Sequence, residues 1–156
     1  MNKYLLLFLF AVIGLFSSCD DGFIELQSQT LSQEMIEEYI AANNLTGFIK
    51  TDTGLNYKIT EEGEGTDMPT ISSTVDAHYV GYLLNGDVFD TTEGSDPLRI
   101  SLQSVVAGWT EGFQLLKKSG KATFIIPPHL GYGTQDRGTI PPNSVLIFEV
   151  ELLGFF

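Results

Sequence analysis

Apolar and polar residues alternate along most of the chain after Gly54, and a period of two residues is typical of β-strands. Leu55, Tyr57 and Ile59 alternate with polar residues, and the segment 98–102 (LRISL) repeats that pattern. The predicted strands cover residues 55–59, 75–84, 98–102, 121–126 and 145–153, together with a short return strand that begins at Val88. Turn residues separate these segments, so the pattern predicts a sheet of short strands.

The strongest turn signal is Asn85-Gly86, which lies between two apolar segments. This dipeptide is typical of a tight β-hairpin, in which both central residues adopt positive φ. The sequence therefore predicts that residues 75–84 pair antiparallel with the strand that starts at Val88.

One helix is predicted inside the strand-rich region. It begins near Ala107, includes Trp109, Phe113 and Leu116, and ends at Gly120. Many strands with a single helix among them indicate an antiparallel sheet with that helix across one face. The predicted fold class is α+β.

A second helix is predicted before the strands, over about residues 31–42. Thr30-Leu31-Ser32-Gln33 has the spacing of a capping box, with Ser32 as a competing N-cap. Four apolar residues fall on one helical face: Met35, Ile36, Tyr39 and Ile40. We expect this face to pack on the chain's own domain, and the alternatives are a second copy or a partner.

The first residues have the features of an export signal. Lys3 precedes an apolar segment, Tyr4–Phe16, which is shorter than the roughly 20 residues that cross a bilayer. Leu15-Phe16-Ser17-Ser18-Cys19 resembles a bacterial lipobox, in which the cysteine is lipidated. The alternative is an ordinary secretory signal with an incidental cysteine, although Cys19 has no second thiol with which to form a disulfide.

The predicted organisation has three parts. Residues 1–18 form a lipoprotein signal peptide, residues 19–48 form a tether and the first helix, and residues 49–156 form the globular domain. We expect the protein to lie in a bacterial cell envelope, anchored to a membrane through lipid on Cys19 and facing the periplasm or the exterior.

Composition excludes some classes of function. The chain has 156 residues, 43% of them hydrophobic, which is enough to bury a core. Its net charge of −12 would repel a nucleic-acid backbone, so no nucleic-acid partner is expected. His78 and His129 have no metal-ligand spacing, and the acidic residues between 87 and 96 lack the spacing of a calcium loop. We predict structural roles for both histidines, and neither a cofactor nor a metal.

Aromatic residues among the turns mark the candidate site. They are Tyr79, Phe89, Trp109, Tyr132 and Phe148. Each belongs to a local motif, and the motifs in chain order are Val75-x-x-His78-Tyr79-x-Gly81, Gly86-x-x-Phe89-Asp90-Thr91-Thr92, Val105-Val106-x-Gly108-Trp109-x-Glu111-Gly112, Tyr132-Gly133, and Ile140-Pro141-Pro142-Asn143-Ser144 leading to Phe148.

This ordered series, over about Thr51 to Phe156, resembles the FKBP-type peptidyl-prolyl cis-trans isomerases. The resemblance implies an antiparallel half-barrel sheet wrapped around one short helix, with an N-terminal helical extension. It also implies an apolar cleft, floored by Trp109, in which the peptide bond before proline is rotated to assist the folding of envelope proteins. No cofactor is implied, and a macrolide-type inhibitor is an expected ligand.

The resemblance assigns roles by position. The expected catalytic residues are Tyr79, Phe89, Asp90 and Tyr132. The expected substrate-binding residues are Leu98, Val105, Val106, Trp109, Ile140 and Phe148. The Val106 backbone N–H and the Tyr132 hydroxyl would donate to the substrate. Asp90 would either hold Tyr79 in place or stabilise the twisted amide, and the sequence leaves both roles open.

Departures from the family pattern concern the rim of the cleft. The loop from Thr134 to Thr139 is about one residue short and lacks a histidine often found there, Leu98 stands where an aromatic is common, and Ala107 replaces a residue that is often charged. The competing functional hypothesis is a binding or chaperone module whose pocket holds proline segments with little turnover.

Overall fold

The computed structural model describes residues 20–156, so the predicted signal peptide and Cys19 lie outside the described residues. The elements in chain order are α1 (Asp20–Ala42), β1 (Ile49–Lys50), β2 (Asn56–Glu61), β3 (Thr74–Leu83), β4 (Val88–Thr91), β5 (Leu98–Ser101), α2 (Ala107–Phe113), β6 (Lys121–Ile126), a 3-10 helix (Pro128–Leu130) and β7 (Leu146–Phe155). No helix within this range is long and apolar enough to cross a membrane.

The strands form one antiparallel sheet in the order β1-β2-β6-β7-β3-β4. Strand β3 is long enough to pair with β7 on one side and with both β5 and β4 on the other. Its first half pairs with β5, from Thr74 to Ala77, and its second half pairs with β4, from Val80 to Tyr82. The predicted α+β class, with a mostly antiparallel sheet and an N-terminal helix, is confirmed.

Helix α2 lies against one face of the sheet because two of its residues are glycines. A Cβ on Gly108 would lie 2.6 Å from the Ile126 side chain, and a Cβ on Gly112 would lie 2.7 Å from the Phe124 ring. Any side chain at these positions would push the helix away from β6. The glycines therefore let α2 carry Trp109 and Phe113 into the core.

Helix α1 packs on the opposite face of the same sheet. Phe124 and Ile126 belong to the core beside α2, whereas Ile125, between them, contacts the fully buried Ile36 of α1. Successive side chains of a strand point to opposite faces, so the two helices sandwich the sheet. The expectation that this helix packs on its own domain is confirmed.

The predicted start and face of α1 are partly wrong. The helix already runs from Asp20, and Thr30 and Ser32 lie within it. Their hydroxyls donate to the carbonyl oxygens of residues 26 and 28, four positions earlier, so they bond back along a helix that has already begun and do not cap its start. Met35 is 47% exposed and does not belong to the docked face. That face consists of Ile36, Tyr39 and Ile40.

Two predicted turns also differ in detail. In the hairpin, Gly86 has φ of 88° and Asn85 is not in the left-handed region. Leu83 N–H donates to Asp87 O and Gly86 N–H donates to Leu83 O, which gives a three-residue loop with a bulge. Helix α2 ends at Phe113, well before Gly120, and the left-handed residue after it is Ser119, with φ of 64°.

Candidate active site

The floor of the candidate site is the indole of Trp109, in the first turn of α2. It is only 4% exposed. Its ring meets Tyr79 at 5.0 Å between centroids, Phe148 at 5.1 Å and Phe113 at 5.1 Å, with interplanar angles of 83°, 76° and 69°. Edge-to-face contacts of this kind are favourable and directional. The floor is therefore held on three sides by other rings.

The wall beside this floor comes from β3, β4 and β7. Phe89 meets Phe148 edge to face at 5.4 Å. This contact requires Gly81, which pairs with both Asp90 and Phe148 across the sheet. A Cβ on Gly81 would lie 2.7 Å from the Phe89 ring and 2.8 Å from the Phe148 ring. Gly81 thus leaves the space that the two phenylalanine rings occupy.

These rings enclose one end of a cleft of about 590 Å³. The ten predicted site residues all line it: Tyr79, Phe89, Asp90, Leu98, Val105, Val106, Trp109, Tyr132, Ile140 and Phe148. Their roles stay predictions, but the fold brings all of them to one place from six separate segments. The lining residues that the sequence did not predict are Ile100, Ser104, Gly131, Gln135, Arg137 and Thr139.

A short hydrogen bond joins Tyr79 to Asp90 at the aromatic end of the cleft. The Tyr79 hydroxyl donates to Asp90 Oδ2 at 2.5 Å, and Asp90 Oδ1 accepts the Thr91 N–H at 2.9 Å. Burial, followed by the hydrogen bond to the Asp90 carboxylate, raises the pKa of Tyr79 above its usual value of 10.0. The phenol therefore stays protonated and stays a donor to Asp90 at neutral pH.

Thr92 fixes the backbone behind Tyr79, and sequence reasoning gave it no role. It is 7% exposed. Its hydroxyl accepts the Tyr79 N–H at 2.9 Å and lies 3.1 Å from His78 Nδ1, while its own N–H donates to Tyr79 O at 3.0 Å. His78 thus contacts a threonine that holds β3 to β4, as expected of a structural histidine. The available signal was the second threonine of the Asp90-Thr91-Thr92 motif.

The opposite rim comes from the loop after the 3-10 helix. Gly133 and Asn143 both have positive φ, 57° and 59°, and Asn143 N–H donates to Gly133 O at 2.7 Å. This bond closes the loop between Tyr132 and Ile140, which both line the cleft. The Arg137 guanidinium lies over the Tyr132 ring, 5.1 Å from its centroid.

A segment before β2 ties the floor to this rim. The Thr53 hydroxyl donates to Glu111 Oε2 of α2 at 2.6 Å, and Thr53 O lies 2.8 Å from His129 Nε2 of the 3-10 helix. His129 therefore has a structural partner, as predicted for it. No local pattern marks the two Thr53 contacts, because their partners lie 58 and 76 positions further along the chain.

Several hydrogen-bond donors of cleft-lining residues have no partner among the described residues; besides the buried Trp109 Nε1–H they include the Val106 N–H and the Tyr132 hydroxyl. The Val106 carbonyl accepts the N–H groups of Trp109 and Thr110 and so starts α2, but the Val106 N–H has no hydrogen-bond partner in the described part of the chain. The Tyr132 hydroxyl likewise has none within residues 24–156. Over that same range no three His, Cys, Asp or Glu side chains are grouped to hold a metal ion. The arrangement is a cleft with an aromatic floor and wall and with polar donors at its rim.

Comparisons with known proteins agree with this geometry. A family model described as FKBP-type peptidyl-prolyl cis-trans isomerase matches residues 65–153. A probable FKBP-type peptidyl-prolyl cis-trans isomerase of Haemophilus influenzae is 51% identical over 105 residues, which are 66% of this chain and 43% of that protein. FkpA of Escherichia coli is 46% identical over 109 residues, 69% of this chain and 40% of that protein.

Solved structures show the same similarity. The crystal structure of FkpA from Escherichia coli superposes with a TM-score of 0.67 at 36% identity, covering 89% of this chain and 74% of that one. A peptidyl-prolyl cis-trans isomerase from Pseudomonas syringae gives a TM-score of 0.69 at 26% identity, covering 81% and 95%. The chain spans less than half the length of the curated relatives it matches.

Proposed function

The chain belongs to the FKBP-type peptidyl-prolyl cis-trans isomerases, and from that premise we propose that it rotates Xaa-Pro peptide bonds of polypeptide substrates. The observation that carries the proposal is the cleft itself. A floor of one buried indole and a wall of three further aromatic rings surround a space of about 590 Å³, large enough for a proline and its neighbours.

The proposed mechanism is selective desolvation. Amide resonance gives the Xaa-Pro bond a rotational barrier of roughly 20 kcal/mol and makes its planar form strongly dipolar. The twisted transition state has lost that resonance and is less dipolar. A dry aromatic cleft therefore disfavours the planar form more than the twisted one, which lowers the barrier without a nucleophile or a metal.

Orientation comes from the donors at the rim. We assign the Val106 N–H and the Tyr132 hydroxyl to substrate carbonyl oxygens, since neither has a partner in the described residues. Two such hydrogen bonds would hold the chain on both sides of the proline while the ring rests on Trp109. Asp90 is already engaged by Tyr79, so we assign it the role of holding that wall residue.

The test compares turnover with binding on the soluble fragment 20–156. A protease-free assay follows isomerisation of an Xaa-Pro peptide, and the fluorescence of Trp109, the only tryptophan, follows binding of the same peptide. We expect turnover well above the uncatalysed rate, and a larger loss for Phe89→Ala in turnover than in binding, because that change admits water to the cleft. Binding without turnover would replace the isomerase by a proline-segment binding module.

The cellular setting forms a separate part of the proposal. The lipobox-like sequence that ends at Cys19 supports a protein anchored by lipid to a membrane of the bacterial envelope, facing the periplasm or the exterior, where it assists protein folding. Cys19→Ala should abolish labelling by a fatty-acid probe and release the protein from the membrane fraction. Equal labelling of both forms would disprove the anchor.

A macrolide-type inhibitor is the ligand we expect to compete for the same cleft. The cleft offers such a molecule the Trp109 floor and the Val106 and Tyr132 donors. Competition is measured by inhibition of turnover and by displacement of the bound peptide. An inhibitor that binds without displacing peptide would place its site elsewhere.

A further inference from the structure

The rim of the cleft carries one arginine that the proposed chemistry does not use. Building on the proposed isomerase function, we propose that Arg137 gives the protein a preference for substrates with an acidic side chain adjacent to the proline. Arg137 is therefore inferred to be a specificity-determining residue.

The side chain of Arg137 is held against Tyr132 at the rim of the cleft. Its guanidinium lies over the face of Tyr132, 5.1 Å from the ring centroid, and its Nη2 donates to Gln135 Oε1 at 2.6 Å. Its backbone N–H donates to Ile140 O at 3.1 Å, which ties it to another lining residue. A stacked and hydrogen-bonded guanidinium loses little further freedom when it binds a carboxylate.

The charge of Arg137 is available to a ligand. It is the only cationic side chain among the residues that line the cleft, and it forms no salt bridge with any residue in the described part of the chain. One of its five side-chain N–H groups is used by Gln135, so the others can form a fork with a carboxylate.

The acid that shares the cleft does not compete for Arg137. Asp90 also lines it, but its two oxygens already accept hydrogen bonds from Tyr79 and from the Thr91 N–H. Asp136, the neighbour of Arg137 in sequence, does not line the cleft, and its Oδ1 accepts the Gly138 N–H at 2.8 Å. The positive charge at the rim is therefore not neutralised by its surroundings.

The acidic surface of the protein makes this preference a short-range one. The net charge of −12 repels acidic peptides at a distance, but salt screens that repulsion beyond about 8 Å at physiological ionic strength. With the substrate bound as proposed, through the Tyr132 hydroxyl beside the proline, a carboxylate next to the proline would lie near the guanidinium stacked on Tyr132. The preference should therefore come from the local contact at the rim, and, as for other rim charges, it should weaken as salt is added.

For each protein, the experiment measures the ratio of kcat/KM for a Glu peptide to kcat/KM for the matching Gln peptide. The full chain is used in the same detergent throughout. Four peptides differ only in Glu or Gln, placed either before or after the proline, so that the favoured side is identified. For the wild type we expect kcat/KM for the better Glu peptide to exceed that for its Gln partner by about two- to five-fold, the range of an exposed ion pair. The ratio should fall towards one in high salt.

Four variants test whether the Glu-to-Gln ratio depends on Arg137. Arg137→Gln should bring it to about one, Arg137→Glu should invert it, and Arg137→Lys should keep its direction with a smaller value because a lysine lacks the planar fork. Lys118→Gln removes the same charge from an exposed residue outside the cleft, and it should leave the ratio unchanged.

A wild-type ratio of one at both positions, or a ratio that Arg137→Gln leaves intact, would overturn the inference. It fails separately from the proposed function, because turnover on the Gln peptides tests the isomerase alone. If no peptide is turned over, the same ratio is taken from binding constants measured by Trp109 fluorescence. A Glu preference in binding that Arg137→Gln removes would then support the role of the arginine.

Discussion

The hydrogen bond between Tyr79 and Asp90 provides a direct test of how the cleft works. Tyr79→Phe removes the donor and Asp90→Ala removes the acceptor, and the double variant completes a cycle. If Asp90 acts only by holding Tyr79, each single change should cost the same, and the double change should cost no more. If Asp90 also contacts the rotating amide, the losses should add.

The structure sets the size of the effect. A hydrogen bond to a charged group contributes about 1.5 to 3 kcal/mol, and the solvent exposure of Asp90 reduces this to about 1 to 2 kcal/mol. Loss of that stabilisation in the transition state would lower kcat/KM by roughly 5- to 30-fold in each variant. Independent roles would instead give a double variant that is roughly 30- to 1000-fold slower, the product of the two single losses.

The assay is isomerisation of one Xaa-Pro peptide, with peptide binding followed in parallel through Trp109. Its indole lies 5.0 Å from the Tyr79 ring, so its fluorescence also checks that each variant keeps its aromatic packing. We expect Asp90→Ala to lower turnover while peptide binding is largely kept. A fully additive cycle with intact packing would refute the view that Asp90 is a positioning residue.

Three further predictions concern stability and pH. Ile36→Ala, at a fully buried position on the docked face of α1, should lower the free energy of unfolding in urea by about 2 to 5 kcal/mol, whereas Met35→Ala, at 47% exposure, should change it by less than about 0.5 kcal/mol. Gly81→Ala would place a methyl group 2.7 Å from a ring of the cleft wall and should reduce both turnover and stability; Gly154→Ala meets nothing within 4 Å and should reduce neither. Burial above all raises the pKa of Tyr79 above 10.0. Its stabilising contribution should therefore be fully present below pH 10 and should be lost progressively as pH rises from 10 through the folded-state value. The tyrosinate absorbance of the folded wild type and of folded Tyr79→Phe should not differ until the pH approaches that value.

Ten residues of the cleft are predictable from sequence because they lie within or beside short local patterns. Tyr79 lies two residues before Gly81, the glycine that leaves room for the cleft wall. Phe89 and Asp90 lie three and four residues after Gly86 of the hairpin. Trp109 stands between two glycines that α2 needs to rest on β6. In each case the local backbone requirement and the site residue are neighbours in sequence, so the motif contains both.

Other features depend on contacts between distant residues and gave no such signal. Thr53 holds the floor helix and the rim together through Glu111 and His129, yet nothing near it in sequence marks it. The start of α1 was misplaced because Thr30 and Ser32 have the composition of a cap, while their hydroxyls bond back along a helix that had already begun. A serine or threonine hydroxyl can cap the start of a helix or bond back to the preceding turn. The second use requires that the preceding turn is already helical, and the capping pattern does not include that turn.

The floor of the cleft is also part of the hydrophobic core, and this limits where the site can change. Trp109 and Phe148 are each only 4% exposed and pack in the same cluster as Phe113 and Phe124. A substitution among them alters core packing and cleft shape together, so changes there cost stability as well as activity. The loop that carries Arg137 is exposed and is held mainly by its own hydrogen bonds. Substitutions in that loop can therefore alter the rim of the cleft while the aromatic floor stays intact, which agrees with the departures from the family pattern lying at the rim.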